Sequence, residues 1–207
     1  KPNMTQQTNP AFVKWKNWIG VGGVGIYQHC CGGNAALWYR PHNSCKMRYL
    51  GAAYNFCPVC KEDIVEEIHQ RFGSTINSYQ PNQTNISYCL QPIQFNVSLT
   101  KPIPNTLRVK WKLNGNDIAM NIDSITITSS QLIIGSNTLS AQVLDTTSLT
   151  RDSLHTINHA YSVNWIINYN PISQPTITTN GATTFCQGDN VTLTASAASS
   201  YLWSNSA

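Results

Sequence analysis

The chain has 207 residues and a net charge of +4; 22 are Asn, 20 Thr and 19 Ser, while only 22 are charged. That excludes a helical bundle or coiled coil, which draw on Ala, Leu, Glu and Lys, and favours strands and turns. No stretch approaches the roughly 20 apolar residues of a membrane span, and the first residues lack the charged-then-apolar layout of a signal peptide.

Residues 1–61 hold seven Lys or Arg and no acid, with Trp15, Trp18, Trp38 and Tyr39 among them. Seven dispersed cations are too few for the electrostatic stripe of a nucleic-acid surface, so no nucleic-acid partner is expected. Gly20 to Gly25 spells G-x-G-x-x-G. A dinucleotide site also needs a preceding strand, a following helix and an acid about 20 residues on, all missing here, so a close-packed loop is expected.

Five of the seven cysteines fall between positions 30 and 60: Cys30, Cys31, Cys45, Cys57 and Cys60. Such density in an Asn- and Thr-rich chain favours disulfides in an oxidising compartment. Cys45 is expected to pair with Cys57 or Cys60, closing a short loop; one of Cys30 and Cys31 would then reach the remaining C-x-x-C cysteine or Cys89. Zinc is the rival reading, because Cys57-Pro58-Val59-Cys60 is a C-x-x-C and His29-Cys30-Cys31 could add ligands. A redox motif would need a βαβ setting that the sequence lacks.

Pro58 suits a first helical turn, and Val65, Ile68 and Phe72 recur at helical spacing, so residues 58–72 form the one expected long helix, with Lys61 to Arg71 as its charged outer face. His69 reads as a solvated imidazole on that helix. His155 and His159 are four apart but lie in a polar segment where no helix is expected. Gly73 to Gln91 reads as a polar connector without periodicity.

From Ile93 the period becomes two. Ile93, Phe95, Val97 and Leu99 alternate with polar residues, as do Leu107, Val109, Trp111 and Leu113, and Asn114-Gly115 supplies a hairpin turn. Further strands are expected at 122–128, 138–144 and 161–167. Short alternating strands with a Trp on a central one resemble an immunoglobulin-like sandwich, here without the inter-sheet disulfide. After Pro171 and Pro175 the pattern restarts; Val191 and Leu193 alternate, and Tyr201-Leu202-Trp203 echoes the strand bearing Trp111, as in the opening strands of a second module.

Ser44-Cys45-Lys46-Met47-Arg48-Tyr49 resembles the Met-turn of metzincin zinc peptidases. Together with Lys14 to Ile19, Gly23 to Gly25, Trp38 to Pro41 and Phe56 to Cys60, it makes residues 10–72 similar to the last part of the catalytic domain of the IgA-peptidase-type zinc metallopeptidases. The resemblance implies that Met47 is the floor of a metal site, Tyr49 a transition-state donor, and Trp15, Trp18, Trp38, Tyr39 and Arg40 pocket walls. It also implies zinc in the complete protein, a protein or glycoprotein substrate and a secreted or cell-surface bacterial setting. The H-E-x-x-H that would hold the zinc is absent from this sequence, so the chain alone is expected to bind none there and to need an upstream part of its own catalytic domain.

The expected fold is mostly β with a small α+β segment: residues 1–74 the end of a metzincin-like catalytic domain, 75–170 an immunoglobulin-like sandwich, 171–207 a partial second sandwich. The alternative function is a non-catalytic adhesion or glycan-binding protein built of sandwich modules.

Overall fold

The computed structural model describes residues 3–89, 91–171, 175–184 and 186–202. They divide into two units, residues 1–169 and 170–207. The division lies between Tyr169 and Asn170, and residues 3–74 share the first unit with the strands that follow.

In the first 57 residues regular structure is sparse. Strands β1 (Tyr27–Gln28) and β2 (Tyr39–Arg40) pair antiparallel, and Thr5 adds a bridge to Tyr39. A small core of Val13, Trp15, Trp18, Val24, Cys45, Cys57, Val59 and Cys60 holds the segment together. The Gly20–Gly25 stretch is the close-packed loop its glycines suggested. Gly23 has φ +77°, and a Cβ there would stand 2.7 Å from His42 Nε2, so no side chain fits.

Helix α1 (Pro58–Phe72) has the expected bounds and Pro58 in its first turn, but its faces are exchanged relative to expectation. Its buried residues are Val59, Cys60 and His69, whereas Ile68 and Phe72 are exposed. Glu62, on the supposedly solvated face, accepts hydrogen bonds from Trp18 Nε1 (2.6 Å) and from the backbone N–H groups of Arg151 (2.6 Å) and Asp152 (3.0 Å). One carboxylate thus ties the small core to the loop at residues 151–152, and the Arg151 guanidinium lies 4.8 Å over the Trp18 ring.

The rest of the first unit is a β-sandwich. Its strands are β3 (Ile76–Gln80), β4 (Asn85–Tyr88), β5 (Ile93–Leu99), β6 (Leu107–Leu113), β7 (Asn116–Met120), β8 (Ser124–Ile127), β9 (Gly135–Asp145) and, after the short helix α2 (His155–Asn158), β10 (Tyr161–Tyr169). One sheet runs β3-β5-β8 and the other β4-β10-β9-β6-β7. All neighbours are antiparallel except β4, which lies parallel to β10 at an edge. The strands β3-β5-β8 and β10-β9-β6-β7 follow the order of an immunoglobulin-like sandwich, A-B-E against G-F-C-C′, with β4 added at the free edge of β10. Strands β3 and β4 occupy the segment read as a polar connector without periodicity.

Both sheets contribute to one core containing Phe95, Trp111, Ile127, Leu139, Trp165 and Ile167. The Asn114-Gly115 turn joins β6 to β7 with φ of 50° and 83°, as a two-residue hairpin of this type requires. Beneath it, fully buried Asn137 accepts from Ile133 N and Asn114 Nδ2 (both 2.9 Å) and donates to Ile133 O (2.7 Å) and Gly135 O (3.2 Å). Asn137→Ala removes these hydrogen bonds from a fully buried position and leaves a void there, and is expected to cost about 2–3 kcal/mol, measured by urea denaturation of the two chains.

In the second unit, β11 (Ile177–Thr179) pairs antiparallel with β12 (Leu193–Ala195). Leu193 of the expected alternation lies in β12; Trp203 lies outside the described residues. No helix among the described residues is long and apolar enough to cross a membrane.

Candidate functional site

The Cys45–Tyr49 segment is a tight turn, closed by Arg48 N and Tyr49 N donating to Cys45 O (2.8 and 3.1 Å). Cys45 points inward and Met47 outward, 63% exposed. Behind the turn, Cys45, Cys57 and Cys60 bring their sulfurs together: Sγ of Cys60 stands 3.7 Å from that of Cys45 and 3.6 Å from that of Cys57. Cys57 N–H donates to Cys45 Sγ (3.3 Å), and Asn3 Nδ2 donates to Cys60 Sγ (3.6 Å). The Pro58 turn places Cys57 and Cys60 on one side of the α1 N-terminus, facing the Met47 turn.

The expected disulfide is therefore not formed: all seven cysteines are free thiols, and these sulfurs are far beyond the bonded distance of about 2.05 Å. Cys30 and Cys31 are exposed neighbours with sulfurs 3.1 Å apart, and Cys89 is exposed; none reaches the C-x-x-C. Cys60 lies at nearly equal distances from Cys45 and Cys57, so the geometry singles out no pair.

Three thiols with ligand atoms inside 4.8 Å match another arrangement, thiolates around one ion. With Zn–S bonds of about 2.3 Å, tetrahedral ligand sulfurs lie about 3.7 Å apart, close to the observed separations. The hydrogen bond shared with Cys60 lowers Cys57 below the usual thiol range, against the upward push of burial, which favours its thiolate form. Cys60 is pushed well above the usual thiol range by that same hydrogen bond and by burial. The cluster opens on a cavity of about 170 Å³ that His29, Arg40, His42 and Met47 also line, where a fourth ligand has room.

The other residues marked by the resemblance are dispersed. Trp15 and Trp18 are not pocket walls: both are buried in the small core, with Trp15 Nε1 donating to Gly25 O (2.8 Å). Arg40 is buried and donates to Gln28 O through Nη2 (3.0 Å), which leaves it on the cavity margin. Trp38 is partly exposed and Tyr39 sits in β2, neither on the cavity. Tyr49 stacks on Tyr54 at 4.8 Å beneath the Arg48 guanidinium, so its ring is held beside the turn rather than over the thiols.

A second cluster escaped sequence reasoning altogether. His69 and His155 are buried, and with Glu66, Asp145 and His159 they join α1 to the sandwich. The one available signal was the i, i+4 spacing of His155 and His159, which α2 does align.

No family model matches the chain, and no curated protein matches it. Among solved structures, the chain is similar to the fibronectin(III)-like modules of Clostridium thermocellum CbhA, at 11% identity and a TM-score of 0.29, over 44% of this chain and 92% of that one. The sandwich assignment rests on the strand pairing described above.

Proposed function

We propose that residues 10–72 are the closing part of the catalytic domain of a secreted or cell-surface zinc endopeptidase acting on proteins or glycoproteins, with the sandwich as an accessory domain. The observation that carries the reading is the Cys45–Tyr49 turn, which lifts Met47 outward while its Cys45 end is anchored among buried sulfurs. A methionine projecting from a turn clamped in this way suits the floor of a metal site supplied by other residues. Exposed Phe12, Leu37, Leu50 and Phe56 on the same segment are apolar surface of the kind that packs against further protein.

The catalytic zinc does not fit the residues present. The sequence has no H-E-x-x-H, and the cavity that Met47 shares with the thiols has no carboxylate among its described lining residues, so no hydrolytic step is derived from this chain. The thiols would hold a structural ion that fastens the turn to α1. The 207-residue chain is accordingly expected to show no zinc-dependent proteolysis, whereas a protein carrying the same segment behind an H-E-x-x-H should lose proteolysis to a chelator. Chelator-sensitive cleavage by the 207-residue chain itself would overturn the assignment. Metal-independent binding of the longer protein to a glycoprotein, without proteolysis, would favour the adhesion alternative.

A further inference from the structure

Asp145 ends β9 with both carboxylate oxygens committed. Oδ1 accepts from Thr106 Oγ1 (2.6 Å) and Thr147 N (2.9 Å), which turns Oδ2 toward His69 Nε2 at 3.0 Å. On the other side, Glu66 of α1 stands 2.6 Å from His155 Nδ1 and 2.7 Å from His159 Nε2. A carboxylate only accepts, so His155 Nδ1 donates to Glu66 and His69 Nε2 to Asp145; an ion bound at His69 Nε2 takes the place of that proton, the ring carrying its proton on Nδ1 instead, while a His155 ring with its one proton on Nδ1 directs its Nε2 lone pair inward. That Nε2 is buried, has no hydrogen-bond partner, and lies 3.8 Å from Asp145 Oδ2.

A second proton on His155 does not resolve the orphan, because an N–H at 3.8 Å is out of hydrogen-bonding range and would itself be buried unpaired. A metal ion does. We propose that His69, Asp145 and His155 bind a divalent transition-metal ion of the zinc class, which fastens α1 to β9 and α2. The ligand atoms of the three residues lie within 4.8 Å of one another. The separations of 3.0 and 3.8 Å bracket the roughly 3.3 Å expected between tetrahedral ligands on bonds of about 2.0–2.1 Å.

The surroundings are those of a built site. Glu66 on His155 Nδ1 is the carboxylate–histidine pairing that orients a metal-bound imidazole, and Thr106 and Thr147 orient the carboxylate. Two imidazoles and one carboxylate select zinc-like ions over calcium or magnesium, which take oxygen ligands. The side chains of His69, Asp145 and His155 are 8%, 6% and 3% exposed, so the ion is structural, and a groove of about 580 Å³ bordered by His69, Asp145, Phe72 and Leu149 gives it a way in. The site is independent of the peptidase reading.

The test uses the stripped 207-residue chain. Long-range nitrogen–proton spectra of the wild-type imidazoles during a Zn²⁺ titration are expected to show the His69 and His155 ring nitrogens shifting, complete at one equivalent for this site. His155→Gln is expected to bind one zinc fewer per chain than wild type, and Glu66→Gln to weaken that zinc by about 10–100-fold. The spectra come from the unaltered protein, so they stand even where a variant folds poorly. Ring nitrogens of His69 and His155 unmoved in excess Zn²⁺ would overturn the assignment, as would shifts confined to His29 and His42 beside the thiols, or undiminished zinc stoichiometry in a folded His155→Gln.

Discussion

Trp111→Ala is expected to cost about 3–5 kcal/mol, a large share of the stability of a domain this size. Trp111 is 0% exposed and lies face to face with Trp165, ring centres 5.8 Å apart, and Trp165 in turn meets Phe95 edge-on at 5.2 Å. The three rings come from both sheets, so removing one opens a cavity at the centre of the sandwich. The substitution also strands Ile122 O, which accepts from Trp111 Nε1 at 2.8 Å and holds the chain between β7 and β8. Guanidinium denaturation of the two chains measures the loss. An unchanged midpoint would mean that the ring is not a core residue and would favour the adhesion alternative, with Trp111 free to stack on a sugar.

Removing metal from the thiol cluster should have an effect of similar size. An ion bound only by the folded chain stabilises it by RT ln(1 + [L]/Kd), about 4 kcal/mol when free metal is a thousand times Kd. Chelation is therefore expected to lower the melting temperature, and Zn²⁺ to restore it. Co²⁺ reports the ligands: with Cys45, Cys57 and Cys60 bound it should give intense thiolate-to-metal charge transfer, which imidazole and carboxylate ligands do not produce. Cys60→Ser should abolish that band while leaving the His69–His155 ring shifts in place, so the two metal centres are read separately. A Cys45–Cys57 or Cys45–Cys60 disulfide, found by mass spectrometry in chain purified without reductant, would instead return the cluster to the covalent pairing that the sequence suggested.

The elements legible in the sequence are those whose signals are local. The alternation of Leu107 to Leu113 became β6, buried at Leu107, Val109, Trp111 and Leu113, because successive side chains in a strand must face opposite ways. The Asn114-Gly115 turn followed from the backbone conformation that a two-residue hairpin demands, and α1 began at Pro58 because proline fits a first turn. Strands β3 and β4 were illegible for an equally local reason. They are edge strands: β3 has no apolar alternation, and in β4 Ile86 and Tyr88 alternate with Asn85 and Ser87 over only four residues, too short a run to stand out.

Which face of α1 turns inward was a tertiary decision. Periodicity marked Val65, Ile68 and Phe72 as the buried stripe, yet hydrogen bonds and charge pairs reaching Glu62, Glu66 and His69 from residues about 75–95 positions later turned the polar face toward the sandwich. Spacing likewise put Cys45 within reach of Cys57 and Cys60, but only the folded turn made the three sulfurs neighbours of one another instead of a pair and a remainder. Local sequence determined the strands, the hairpin turn and the helix ends, since each depends on residues within a few positions. The two clusters able to bind metal depended on contacts between segments remote in the chain, and for the histidine cluster no composition or period records which distant side chain will supply the missing partner.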